Sequence, residues 1–465
     1  MLMLLAAGLL ADPIPVYVIA GQSNAEGYGV PHTQLDTVDD VTVVWPGRSQ
    51  GEVGPLQAGW GANEKMIGPE YGFGQAMQHH HQSPVVLLKT AWGGKDVWCD
   101  FRSPSAGDFN WAEQQMKARE QREGRSREVG AFFNAMVNSI KVGLSQAQVH
   151  LGREDLELKG LLWFQGWNDY CQWHVEEAGS PCGRGIIERY PHNLKHMLCD
   201  LREALNANTL PIVIGELGVH GSDVPKSRSG WALRAFRTAQ AETSSRLDHC
   251  CFAPTASFWD EQATDHWECH YNGSAETYLR MGRTFALHLL ALDALPVGQA
   301  MKWQSSQQGL QTMSRQYPPE RGGLALWGSS IFRLWERAPA HFPEYEVINL
   351  SFGGARSWEA LHYANATLFP IQPSTVFYYC GSNDINTGAD AASIAERFRL
   401  FSELTRDRLP STTIFFGAIN RSPEKKDRWP VVDKANQLVA LYCETQDGRT
   451  FVDLNQVLED DDGST

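Results

Sequence analysis

Three short segments of this chain recur, in the same order, in its second half. That repetition limits the possible folds more than any other feature. Val16–Ser23 (VYVIAGQS) is matched by Leu324–Ser330 (LALWGSS), Ala91–Gly94 (AWGG) by Ser351–Gly354 (SFGG), and Trp163–Asp169 (WFQGWND) by Tyr378–Asp384 (YYCGSND). Each closes an apolar run and opens on a glycine or a small polar residue. A continuous apolar run that stops at such a turn reads as a strand covered on both faces. The repeat therefore predicts one α/β architecture built twice.

The strands expected in the first copy are Val16–Ala20, Val85–Leu88, Leu161–Phe164 and Ile212–Ile214. Helical spacing falls between or after them, over 130–144 and over 275–292, where apolar residues recur at three and four. The second copy is expected to place strands at Leu324–Trp327, Val347–Leu350, Val376–Tyr379, Thr412–Phe416 and Thr450–Leu454. Alternating β and α predicts a doubly wound parallel sheet, whose sites form beyond the C-terminal strand ends. The chain of 465 residues is long enough for two such domains. We expect them at 12–296 and 321–465, joined by a Gln-rich linker at 297–320 that contains Pro318-Pro319.

The ends of the chain and its charge bear on location and partners. Met1–Ala11 (MLMLLAAGLLA) is too short to span a bilayer and has the length of a signal-peptide core, so the expected location is secreted or periplasmic. A net charge of -14 argues against a nucleic-acid partner, and no later run is apolar enough for a membrane span. The nine cysteines include no C-x-x-C pair, and in an oxidising compartment Cys171 and Cys182 could clip the loop between them.

The strand ends carry what acyl transfer requires: a nucleophile, a base and oxyanion donors. Ser23 follows the first strand in Gly21-Gln22-Ser23-Asn24-Ala25, a turn that exposes the hydroxyl and its own N–H together. Gly94, lacking Cβ, lets a backbone N–H approach a substrate oxygen, and Asn168 offers a side-chain amide. For the base, Asp265-His266-Trp267-Glu268-Cys269-His270 precedes the last long helix of the first copy. His270 is the first candidate and His266 the second, with Glu268 or Asp265 as the orienting acid. A His266-x-Glu268-x-His270 metal site is the competing reading, but nothing nearby completes a ligand set. His79-His80-His81 reads as a solvated helix end.

On these residues the chain resembles the SGNH (GDSL-like) hydrolase superfamily, and residues 14–295 resemble its sialate O-acetylesterase-type carbohydrate esterases. The matching stretches are GQSNAEGYG at 21–29, KTAWGGKDVW at 89–98, DFRSPS at 100–105, FQGWND at 164–169 and HYNGSAETYLRMG at 270–282. The resemblance implies a three-layer α/β/α, flavodoxin-like fold with no metal and no cofactor. It implies Ser23 as nucleophile, Gly94 and Asn168 as oxyanion donors and His270 as base, acting on acylated carbohydrate. The superfamily often carries Asp-x-x-His, whereas Trp267 stands three residues before His270. Glu268, slightly favoured, or Asp265 is expected to take that role, or a dyad operates.

The second copy resembles the general GDSL-like acylhydrolases through Ser330, Gly354 and Asn383. No histidine follows His362, so this copy is expected either to be cut short or to be inactive, with truncation favoured. For substrate, Trp92, Trp98, Trp167 and Trp267 flank the candidate residues, and aromatic faces suit sugar rings. Acetylated carbohydrate is the expected substrate. The alternatives are a short-chain or aryl acylhydrolase of the same fold and a non-catalytic carbohydrate-binding protein.

Overall fold

Strand β1, Ile14–Gly21, buries all eight of its residues, which is possible only in the middle of a sheet covered on both faces. Its neighbours are β4 (Val85–Ala91) and β5 (Leu156–Phe164), both parallel to it. The computed structural model describes residues 12–49, 52–107, 128–172, 183–295, 310 and 323–458. The expected signal peptide lies outside the described residues, as do Cys182 and, apart from Leu310, the expected linker. The chain divides after Leu289 into two compact units.

In the first unit, the sheet also contains β2 (Val38–Val44), β3 (Val53–Leu56), β6 (Ile212–Gly215) and β7 (Cys250–Ala253). Its order is β3-β2-β4-β1-β5-β6-β7, and every pair is parallel except β2 with β3. That antiparallel edge pair departs from the all-parallel expectation. β2, β3 and β7 also gave no clear sequence signal, because they are short or carry polar residues such as Asp39 and Asp40. The helix Ala275–Asp293 runs close to its expected limits, whereas Ala131–Leu151 starts where expected but continues past 144 to Leu151.

Register is what builds the site. Gly21 pairs with Ala91 on one side and with Phe164 on the other, so three strands end level. The segments after them therefore emerge along one edge. Beneath that edge lies a buried cation: Lys89 of β4 donates to Glu70 (2.8 Å) and to the carbonyls of Trp60 (2.6 Å) and Glu26 (2.8 Å). All three ammonium donors are thus used, which makes a fully buried lysine tolerable.

The second unit repeats this plan with β8 (Leu324–Gly328), β9 (Val347–Asn349), β10 (Thr375–Tyr379), β11 (Thr413–Gly417) and β12 (Arg449–Val452), all parallel, in the order β12-β11-β10-β8-β9. Read from the other end, this is the β4-β1-β5-β6-β7 order of the first unit. Among the described residues, no helix is long and apolar enough to cross a membrane.

Candidate active site

The turn that presents Ser23 depends on Gly21. Its φ is +148°, and a Cβ there would lie 2.1 Å from the Phe164 carbonyl oxygen, so only glycine fits. The chain then enters the short helix Ser23–Glu26 with Ser23 as its first residue, 6% exposed. Gly94, after β4, has a φ of +72°, and its Cβ position would be 3.9 Å from Asn168 Nδ2. Asn168 belongs to the helix Trp167–Cys171, which follows β5. Level strand ends thus gather Ser23, Gly94 and Asn168. Among the described residues, the Ser23 N–H, the Gly94 N–H and Asn168 Nδ2 donate no hydrogen bond. Unpaired donors converging at one edge are what an incoming oxyanion needs.

His270 reaches the same edge from a reversed loop. Tyr271 and Asn272 adopt φ of +51° and +53°, and the His266 N–H closes the loop on the Asn272 carbonyl at 2.9 Å. Asn24, next to the serine, donates to the carbonyl of Cys269 (3.0 Å) and accepts from the Tyr278 hydroxyl (2.7 Å). The Tyr28 ring stacks on the His270 ring, with centroids 3.8 Å apart and planes 9° apart. Burial, with a smaller contribution from His266, holds the His270 imidazole down to about 4. It is therefore neutral at neutral pH and able to take a proton.

The expected orienting acid is not where the sequence put it. Asp265 pairs with His32 at 2.9 Å, and the Glu268 carboxylate is exposed. Neither bonds His270. The loop reversal instead sets His266 Nδ1 3.0 Å from His270 Nδ1. One ring must donate and the other accept. If His270 donates, its Nε2 keeps the lone pair that a base uses.

Other residues were legible only in part. Gln22, 1% exposed, ties the strand ends together: Nε2 donates to Asn168 Oδ1 (3.0 Å), and Oε1 accepts from the N–H groups of Gly166 (3.0 Å) and Asn168 (3.2 Å). Its place in a repeated motif was the available signal. Asp169 is a clamp: it accepts from Gln165 Nε2 (2.6 Å) and from the N–H groups of Val97 (3.0 Å) and Trp98 (3.2 Å). Burial, then the neighbouring Asp96, pushes its pKa up to about 8.

The four tryptophans separate. Trp98 is buried, Trp92 packs on Phe101 and Phe132, and Trp167 lies against Tyr170 and His220. Trp267 is 74% exposed, its ring near-parallel to His270. A polar cleft of about 570 Å³ flanks this loop, lined by His32, Asp260, Asp265, Ser274 and Glu276 among others. His81 of the histidine run accepts or donates at the Tyr17 hydroxyl (2.7 Å). Among the described residues, no cluster of His, Cys, Asp and Glu is arranged to hold a metal.

The second unit reproduces the turns but not the whole set. Gly328 has a φ of +145° and Gly354 of +74°, and Ser330 opens the helix Ser330–Arg333. Asn383 differs from Asn168: its Nδ2 is spent on the Ala355 carbonyl at 2.9 Å. His362 sits in the helix Ser357–Tyr363, and His341 accepts from Trp335 Nε1, so among the described residues neither follows the last strand.

The sequence pattern of the family described as carbohydrate esterase, sialic acid-specific acetylesterase matches residues 13–290. That of the GDSL-like lipase/acylhydrolase family matches residues 321–465. No curated protein matches. Among solved structures, the chain is similar to a protein of Arabidopsis thaliana at 16% identity (60% of this chain, 99% of that one, TM-score 0.39). It is similar to a carbohydrate acetylesterase from Xanthomonas citri at 14% identity (60% and 56%, TM-score 0.39). It is also similar to a GDSL-like lipase from Bacteroides thetaiotaomicron at 16% identity (34% and 83%, TM-score 0.30).

Proposed function

The chain belongs to the carbohydrate esterase, sialic acid-specific acetylesterase family, a family of ester hydrolases, and on that premise we propose that its first unit is a serine esterase removing O-acetyl groups from carbohydrate. The observation that carries this reading is the set of three unpaired donors gathered beside Ser23 by level strand ends. His270 Nε2 takes the Ser23 proton as Oγ attacks the acetyl carbonyl. The oxyanion rests on the N–H groups of Ser23 and Gly94 and on Asn168 Nδ2. The tetrahedral intermediate collapses, and the sugar oxygen leaves with the proton from His270. Water, deprotonated by His270, then releases acetate from Ser23. His266 orients His270, the task a carboxylate performs in the familiar triad.

The substrate class rests on two surroundings. Trp267 offers an exposed aromatic face beside the base, suited to a sugar ring. The adjoining cleft presents Asp260, Asp265 and Glu276 against one histidine, His32. Carboxylates accept from sugar hydroxyls but repel an anionic sugar. A neutral acetylated glycan is therefore favoured over O-acetylated sialic acid.

Acetate release tests both parts. Wild-type protein is expected to deacetylate acetylated xylan faster than O-acetylated sialic acid. Ser23→Ala is expected to lose at least about 10³-fold in kcat while melting like wild type. Turnover in Ser23→Ala near the wild-type rate would overturn the nucleophile, and a preference for the sialate ester would overturn the substrate class.

A further inference from the structure

We propose that Gln22 is a positioning residue that keeps the Asn168 amide turned so that its Nδ2, rather than its Oδ1, faces the oxyanion. The proposal rests on the serine-esterase reading above. An asparagine side chain can present either end of its amide, and only the nitrogen end stabilises negative charge. What decides the orientation is which neighbour claims the other end. Gln22 Nε2 claims Asn168 Oδ1 at 3.0 Å. Gln22 cannot easily turn over, because its Oε1 already accepts two backbone N–H groups, from Gly166 and Asn168. A flip would set a donor against two donors in a site that is 1% exposed.

The chain contains its own control. Gln22 corresponds to Ser329, Asn168 to Asn383, Lys95 to Ala355 and Gln165 to Cys380 in the two repeats. In the first unit Gln165 Nε2 donates to the Lys95 carbonyl at 3.1 Å, and in the second Cys380 Sγ donates to the Ala355 carbonyl at 3.3 Å, so an occupied carbonyl does not by itself keep the asparagine nitrogen away. In the second unit the short Ser329 replaces Gln22, and Asn383 Nδ2 donates to the Ala355 carbonyl at 2.9 Å. The same backbone with a shorter residue at this point has its asparagine donor consumed. Gln22 also places Nε2 3.4 Å from Ser23 Oγ, at the outer limit of a hydrogen bond, so its effect runs chiefly through Asn168.

The test is a double-mutant cycle on acetate release from 4-nitrophenyl acetate, with Gln22→Met, Asn168→Ala and the combination. Gln22→Met is expected to lower kcat by about 10²-fold with KM changed by less than about threefold, the loss of one oxyanion donor. In the Asn168→Ala background the same substitution is expected to cost less than about threefold more. If the two losses multiply, or if Gln22→Met turns over like wild type, the proposal is overturned. Should Gln22→Met fail to fold, Gln22→Glu replaces it, since one carboxylate oxygen still accepts from Gly166 and Asn168. A crystal structure of the variant reads the Asn168 amide without any substrate, and an unchanged hydrogen-bond pattern around it overturns the proposal equally. Ser23→Ala is assayed in parallel. Activity there would defeat the esterase reading, whereas its loss alongside multiplicative cycle terms would defeat only the role of Gln22.

Discussion

A histidine that leans on another histidine is a different base from one that leans on a carboxylate. His266 Nδ1 stands 3.0 Å from His270 Nδ1, Tyr28 stacks on the His270 ring, and Trp267 lies near-parallel beyond it. None of these groups is anionic, so nothing against the ring favours its protonated form, and burial holds its pKa down to about 4. A base works only when unprotonated. kcat/KM is therefore expected to rise through an acid limb near pH 4 and to be flat from about pH 5.5 to neutrality. His266→Ala removes the orienting acceptor. A hydrogen bond to a group that becomes charged is worth about 1.5–3 kcal/mol, so the expected loss in kcat is on the order of 10- to 100-fold. His266→Asp puts an opposite charge beside the forming imidazolium and should move the acid limb up by about 1–3 pH units. A pH–rate profile of the two variants checks this, and a limb that stays near pH 4 in His266→Asp would show that the two rings are not coupled.

Between elements, the decisive contacts are the buried carboxylates that clamp one strand-end loop to the next. Asp169, after β5, holds the Val97 and Trp98 N–H groups, and Asp384, after β10, holds the N–H of Ser357 (2.8 Å) together with its hydroxyl (2.6 Å). Both fix the loop that carries the strand-end glycine, Gly94 in the first unit and Gly354 in the second. Asp169→Ala would leave the Val97 and Trp98 N–H groups unpaired and Gln165 Nε2 with only the Lys95 carbonyl, and the expected cost is about 2–4 kcal/mol, read from denaturant midpoints. The group also has a pH signature. Its pKa is about 8 in the fold against 3.8 as an ordinary carboxylate, so the fold retains a proton that the unfolded chain releases. Its stabilisation is complete below about pH 4 and is lost as pH rises through 8. Asp169→Asn should therefore flatten the decline in stability between about pH 4 and pH 8. These clamps show where sequence reading stops. The apolar runs of β1, β4, β5 and β10 and the glycines that end them were legible, because burial on both faces and a positive φ leave few residue choices. The position of Asn168, Gly94 and Ser23 at neighbouring strand ends was legible from the repeated pattern. The role of Asp169 was not, because an aspartate at a helix start has the same local signature whether it caps that helix or reaches a loop 71 residues away. The acid was misplaced for a related reason: spacing along the chain puts Glu268 and Asp265 near His270, but the reversal at Tyr271 and Asn272 turns His266 toward it instead.

At the scale of the whole molecule, one backbone plan has been built twice. The strand orders β4-β1-β5-β6-β7 and β9-β8-β10-β11-β12 coincide, and the paired glycines Gly21 and Gly328 share φ values of +148° and +145°. What separates the units is chemistry laid over that backbone. The first has Gln22, a free Asn168 amide and His270. The second has Ser329 and an Asn383 amide bound to the Ala355 carbonyl. A donor already bonded to a backbone carbonyl must break that bond before it can meet an oxyanion. Ser330→Ala is therefore expected to leave acetate release within about twofold of wild type, whereas Ser23→Ala removes it. The comparison is made on one ester preparation with four proteins: wild type, each single variant and the pair. If the Ser23→Ala protein kept a slow turnover that vanished only when Ser330→Ala was added, the second unit would have to carry chemistry of its own. If Ser330→Ala alone lowered the rate while the melting curve stayed unchanged, the division of labour argued from Asn383 and Ser329 would be wrong.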